Sequence, residues 1–203
     1  MDDHHTHDAG GGAVRRLWAT ESRPFREHLL RLSADSRRMR FAGAVSDEFV
    51  EQYANTAISR ALVIFGWFED GKLRAVAELH GSMFADTGEA AFTVETDYQN
   101  RRIGSALMKR VVLTARNRNM RRLIVSCLSE NAQMRRLAQR HDAEIEFHTG
   151  ETIGTVHSRM PNGLSLLREA IAEGHGFAQS MIDLQSSVWV KHGAAKPRAA
   201  STR

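Results

Sequence analysis

The sequence predicts a mixed α/β domain, of the α+β kind, and three observations carry that prediction. First, the run Phe92-Thr93-Val94-Glu95-Thr96-Asp97-Tyr98-Gln99-Asn100-Arg101-Arg102-Ile103-Gly104-Ser105-Ala106 changes its hydrophobic period from two to about four across a basic loop, as a strand feeding a helix does. Second, the apolar runs Ala61 to Glu69, Leu73 to His80 and Glu89 to Thr96 are separated by Asp70-Gly71 and Asp86-Thr87-Gly88, turn signals that fold such runs into a meander. Third, Ala143 to Phe147 and Thr152 to Val156 alternate around His148-Thr149-Gly150 and predict a terminal hairpin.

The remaining elements follow in chain order. Residues 1–12 are rich in Asp, His and Gly without an apolar period, and predict a disordered tail. His4, His5 and His7 can bind a transition metal, but ligands on such a tail lack fixed geometry, so no metal site is expected. Ala13 to Ala19 reads as the first strand. Pro24 to Leu32 and Ser33 to Arg40 read as helical, the second capped by Ser33, and Ser46 caps a further helix beginning Asp47-Glu48-Phe49-Val50. From Ile103 a helix shows Ile103, Leu107 and Val111 as its apolar stripe, widened by Met108, Val112 and Ala115, with Lys109, Arg110, Arg116 and Arg118 toward water. Leu123 to Leu128 is a strand, and Asn131 opens another helix. After Pro161, Leu164, Leu167, Ala170 and Ile171 form one helical stripe, Gly174-His175-Gly176 interrupts, and Phe177, Met181, Leu184, Val188 and Trp189 continue a second. Such stripes must be buried, on the same chain or in a homodimer. The division expected is a tail over 1–12, a domain over 13–160 and a helical extension over 161–203.

Composition narrows the function classes. The 203 residues are 42% hydrophobic, enough for a core. No apolar stretch reaches the roughly 18 residues that span a bilayer, and the polar start has no signal-peptide core, so a cytoplasmic address without membrane association is expected. The single cysteine, Cys127, excludes an internal disulfide and reads as a small core residue of an apolar strand. A net charge of +4 and a pI near 9.7 come largely from arginine, dense between Arg101 and Arg122. A basic patch of that kind serves nucleic acid or a phosphorylated small molecule. The arginines crowd the strand-to-helix loop, and no stacking motif or zinc finger accompanies them, which favours the small molecule.

The loop explains why. The first turn of a helix has backbone N–H groups without intrahelical partners and the positive end of the macrodipole, so an anion gains hydrogen bonds and field there together. Gly104 leaves the backbone open to close approach, and Arg101 and Arg102 add charge.

Arg101-Arg102-Ile103-Gly104-Ser105-Ala106 resembles the coenzyme A loop of the GNAT superfamily of N-acetyltransferases, whose signature is Gln or Arg, two residues, Gly, one residue, then Gly or Ala. The order of elements around it is also similar, over about residues 13 to 157. The resemblance implies a mixed, mostly antiparallel sheet that splays where acetyl-CoA inserts, flanked by helices. It implies that Phe92, Thr93 and Val94 lend backbone groups to the pantetheine arm. Asn100, Arg101, Arg102, Ile103, Gly104, Ser105 and Ala106 would hold the pyrophosphate, and Asn131 would touch the coenzyme near the pantetheine. Acetyl-CoA is then the cosubstrate, and no metal is needed.

Transfer to an amine requires the neutral amine, yet a lysine with a pKa of about 10.4 is neutral in roughly one molecule per 2,500 at pH 7, a handicap near 4.6 kcal/mol. A base is therefore required, and a carboxylate serves best where burial lifts its pKa. Glu89 and Glu95 lie on one face of the strand that would grip the thioester. Glu95, at the loop end, is expected to be solvated, so Glu89 is the candidate. Glu89-Ala90-Ala91-Phe92-Thr93-Val94 resembles the strand of Pat-type protein lysine acetyltransferases in which a glutamate is the general base; Ser33 to Ser46 and Asn131 to Ala138 are similar to their helical segments. Two departures stand out. Ala138 lies near where many small-molecule GNAT enzymes carry a proton-donating tyrosine, and Arg102 occupies a place often held by glycine. The expected function is direct transfer of acetyl from acetyl-CoA to a primary amine, either a protein lysine or a small-molecule amine or antibiotic. A non-catalytic acyl-CoA sensor is the third class.

Overall fold

The computed structural model describes residues 11–82, 85–158, 160–174 and 176. Among the described residues seven strands, β1 (Ala13–Leu17), β2 (Val63–Glu69), β3 (Lys72–His80), β4 (Thr87–Val94), β5 (Arg122–Leu128), β6 (Glu144–His148) and β7 (Glu151–His157), form one sheet of order β1-β2-β3-β4-β5-β7-β6. The expected α/β arrangement is present, with helices α1 (Ser22–Arg31), α2 (Ala34–Phe41), α3 (Asp47–Arg60), α4 (Ile103–Asn117) and α5 (Ala132–Gln139) around that sheet.

Each strand pair is antiparallel except β4 and β5, which run parallel over only three rungs, Thr87 to Arg122, Gly88 to Leu123 and Glu89 to Ile124. Beyond Glu89 the two strands part, while β4 stays paired to β3 as far as Val94. The far edge of β4 is thereby left without a strand partner from Ala90 onward, which exposes backbone donors and acceptors to a ligand.

Two cores hold the sheet. On one face Ile103, Leu107, Met108 and Val111 of α4 pack on Phe65, Ala77, Leu79, Ala90 and Leu123. On the other, Phe25 and Leu29 of α1 and Val50 and Ala54 of α3 pack on Ile64 and Val76. β2 and β3 are covered on both sides, which is why Val-Ile-Phe-Gly-Trp-Phe reads as a continuous apolar run instead of alternating.

Local chemistry sets the ends. Ser33 Oγ accepts from the Ser36 N–H at 3.2 Å, Ser46 Oγ from the Phe49 N–H at 3.3 Å, and Asn131 Oδ1 from the Met134 N–H at 3.0 Å, each satisfying an orphan first-turn donor. Asp70 and Gly71 take φ of +51° and +70°, the left-handed pair of a two-residue hairpin turn.

Several boundaries differ from expectation. β1 stops at Leu17 because Ala19–Glu21 wind into a 3-10 turn, and β2 begins at Val63. Thr87 and Gly88, expected in a turn, belong to β4: the carbonyl of Asp86 accepts from the N–H groups of both Arg121 and Arg122, which draws this segment alongside β5. β4 ends at Val94, and Thr96–Tyr98 form a second 3-10 turn. Arg110, expected toward water, lies half-buried with its guanidinium 5.0 Å over the Phe65 ring.

Residues 163–174 are helical. Their polar side, not the expected apolar stripe, meets the domain. The Glu169 carboxylate accepts from Thr114, Asn117 and Arg118 of the α4 end, and Asn117 also bonds Ser165. Leu164, Leu167 and Ile171 remain 56%, 56% and 52% exposed. Phe177, Met181, Leu184, Val188 and Trp189 lie outside the described residues, as do His4, His5 and His7.

Candidate active site

The parting of β4 from β5 opens a cleft of about 360 Å³. One wall is α2 with Met39 and Arg40; the floor is Phe92, Thr93 and Val94; the other wall is α5 with Asn131, Met134 and Leu137. The cleft runs to Asn100, Arg102, Ile103, Gly104 and Ser105 at the start of α4. An ion pair between Arg38 of α2 and Glu130, just before α5, joins the two walls.

The α4 end is built for an anion. No side chain caps the helix, its first turn carries no acid, and the first backbone bond it makes is from Ala106 N–H to Arg102 C=O. Asn100 and Arg102, with φ of +60° and +61°, adopt the left-handed conformation that turns the chain into the helix. Arg140, which the sequence did not single out, joins Asn100, Arg102 and Ser105 around the adjoining hollow. Arg101 turns away, its Nη2 donating to Glu69 Oε1 at 2.8 Å, and neither it nor Ala106 lines the cleft. Gly104 also allows α4 to approach α5: a Cβ there would lie 3.3 Å from Leu137 Cδ2. Asn131 lines the cleft, but its Oδ1 is engaged in capping α5, which leaves its amide nitrogen for a ligand.

At the other end, Glu89 occupies the last rung before the strands part. Its side chain is exposed and makes no hydrogen bond or ion pair with any described residue, so the burial that would favour it as a base is not supplied by them. Its partner across the antiparallel rung is His80. Two residues back, Glu78 is 1% exposed, with Oε1 accepting from Arg40 Nη2 at 2.8 Å and Oε2 from the Tyr53 hydroxyl at 2.6 Å. Burial alone would raise the Glu78 pKa, but Arg40, His80 and Tyr53 outweigh it and hold it at about 2. The same burial, with Glu78 beside it, pushes the Tyr53 hydroxyl well above its usual range.

Glu95 is a correction. It is 8% exposed rather than solvated, and its carboxylate meets His28 Nδ1 at 3.1 Å, Arg31 Nε at 2.9 Å and Arg74 Nη1 at 3.0 Å. Burial opposes ionisation, yet the hydrogen bonds from His28, Arg31 and Arg74 prevail and hold the Glu95 pKa at about 2. Burial keeps His28 neutral, so its Nδ1–H donates to Glu95 and its Nε2 accepts from Thr93 Oγ1 at 2.9 Å. Glu95 thus ties β4 to α1 and β3 and is committed to structure.

Ala138 is buried and carries no proton, so the departing sulfur finds no acid there. The Cys127 thiol is buried and its pKa raised by burial, which leaves it protonated and inert. Among the described residues no cluster of His, Cys, Asp and Glu is placed to hold a metal, and no helix is long and apolar enough to cross a membrane.

A sheet splayed beside an uncapped helix start places an open strand edge and a set of free main-chain N–H groups in one cleft. The chain belongs to the Acetyltransferase (GNAT) family, whose pattern it matches over residues 26–143. Its fold is similar to the GNAT domain of S. lividans PAT, at 20% identity and a TM-score of 0.62, covering 72% of this chain and 90% of that one. It is also similar to the PaiA N-acetyltransferase of Thermoplasma acidophilum in complex with coenzyme A, at 16% identity and a TM-score of 0.58 over 72% and 99% of the two chains. The ribosomal-protein-S18-alanine N-acetyltransferase of Escherichia coli shares 18% identity, with a TM-score of 0.57 over 75% and 97%. Compared with curated proteins, the chain has no significant match.

Proposed function

We propose that this enzyme moves the acetyl group of acetyl-CoA directly to a primary amine, that Glu89 accepts a proton from that amine, and that the amine is a protein lysine. The observation that carries the proposal is the parting of β4 and β5 immediately after Glu89, which sets this residue on the rung beyond which the cleft opens. The coenzyme's diphosphate would lie on the N–H groups of Gly104 and Ser105 with Arg102 and Asn100 beside it, its pantetheine along Phe92, Thr93 and Val94, and Asn131 opposite. The amine attacks the thioester carbon, a main-chain N–H on the open edge of β4 stabilises the oxyanion, and Glu89, directly or through a water, takes the nitrogen's proton. The exposure of Glu89 suits an acceptor presented on a protein surface, because the incoming chain itself then covers the carboxylate. The catalytic unit is residues 13–160, with 161–203 as an extension.

The test is acetyl-CoA with a panel of lysine peptides, peptides acetylatable only at the N-terminus, and small amines, following coenzyme A release. Lysine peptides should be the best acceptors. Transfer to small amines alone would change the acceptor class, and transfer to none would defeat the proposal.

A further inference from the structure

We infer that His80, held by Glu78, is a second base, so that transfer uses two proton acceptors on neighbouring strands, His80 on β3 and Glu89 on β4. The inference rests on the amine-transferase reading above and extends it.

Two protons leave the nitrogen at separate steps. An ammonium must lose one proton before its nitrogen can attack and a second as the amide forms, and one carboxylate holds only one proton at a time. Glu89 has no bonded partner to pass a proton to among the described residues. Its cross-strand neighbour is His80, on the same face of the sheet and at the same last rung before the cleft opens.

His80 is held in a way that a surface histidine is not. Its Nε2 lies 3.2 Å from Glu78 Oε2, and its side chain is 30% exposed. A carboxylate can only accept, so Nε2 carries the hydrogen and the Nδ1 lone pair is left free. The groups facing this ring are Glu78 on its own strand, backed by Arg40 of α2 and Tyr53 of α3, and Glu89 on β4. Arg40 and Tyr53 already satisfy the buried Glu78, so its bond to His80 is additional and orients the imidazole, as a carboxylate orients a catalytic histidine elsewhere.

The steps balance. His80 Nδ1 takes one proton from the ammonium. The amine then attacks, forming the N–C bond; the remaining excess N–H proton passes to Glu89 as the C–S bond breaks. The thiolate takes a proton from water, and His80 and Glu89 return theirs to solvent, for a net release of one proton.

The experiment compares wild type, His80→Ala, His80→Gln and Glu89→Gln, each with acetyl-CoA and the best amine of the panel. Both His80 variants should lose about 10²-fold in kcat, within the range of a positioned base, with unchanged acetyl-CoA affinity. Imidazole in the buffer should restore His80→Ala but not His80→Gln, whose side chain fills the site. The His80→Ala deficit should also shrink as pH rises toward the amine's own pKa, whereas the Glu89→Gln deficit should persist. Wild-type kcat in both His80 variants, or a pH-independent deficit without imidazole rescue, would overturn the role of His80. In that case a Glu89→Gln defect leaves the transferase reading standing, and a wild-type enzyme that acetylates no amine removes both.

Discussion

Glu89→Gln should leave acetyl-CoA binding essentially unchanged while lowering kcat by about 10²–10⁴-fold, the usual worth of a positioned general base. Glutamine matches glutamate in shape but cannot take a proton. The side chain is exposed and unbonded among the described residues, so its replacement disturbs neither the core nor the coenzyme cleft, which Glu89 does not line. Steady-state turnover at saturating acetyl-CoA, with affinity measured separately by calorimetry, distinguishes the two effects. Turnover equal to wild type would remove Glu89 from the mechanism.

The second large effect is on stability in acid. Glu78 and Glu95 both titrate at about 2 in the folded protein, below their ordinary 4.5. A carboxylate whose folded pKa is depressed stabilises the fold at pH values above its unfolded pKa, and that stabilisation is lost as pH falls through the folded value. The window is therefore between about pH 4.5 and 2. Each group contributes on the order of 3 kcal/mol at neutral pH, a large part of the stability of an ordinary domain. His28 acts in the same direction, since burial lowers its pKa and protonating it opposes the fold. Urea midpoints at pH 7, 4 and 3 should fall steeply, and Glu95→Gln should lower the pH 7 midpoint and flatten the profile, because it leaves Arg31 and Arg74 without their carboxylate. A midpoint constant from pH 5 to 3, or a Glu95→Gln midpoint equal to wild type, would contradict this.

Features set by neighbours in sequence were legible before any coordinates. Ser33 and Ser46 cap as expected, Asp70-Gly71 turns the hairpin, and the apolar stripe of α4 faces the sheet, because caps, two-residue turns and helical periods depend on a few adjacent residues. The loop from Asn100 to Ser105 was legible for the same reason, though only coordinates show that Arg101 leaves it for Glu69 and that Arg140 comes to it from the end of α5. Charges whose partners lie far along the chain were not legible. Glu95 looks like a solvated strand-end acid until Arg31 and His28 arrive from α1, and Glu78 looks like one polar residue in an apolar run until α2 and α3 bring Arg40 and Tyr53. A lone acid at a doubly covered strand position was the available signal, since an unpaired charge is not stable there. The helix over 163–174 follows the same rule: Ser165 and Glu169 look solvent-facing in the sequence, yet they find Thr114, Asn117 and Arg118.

On the proposed reading, main-chain amides at the start of α4 hold the coenzyme's diphosphate while its thioester arm lies along the open edge of β4. Titrating acetyl-CoA into the purified protein by calorimetry, with a parallel thermal melt, tests it most directly. Saturable heat and a raised Tm are expected for the wild type, and both should vanish in Gly104→Leu, whose side chain would crowd Leu137 and the helix start that both line the cleft. No heat and no shift with the wild type would contradict the account.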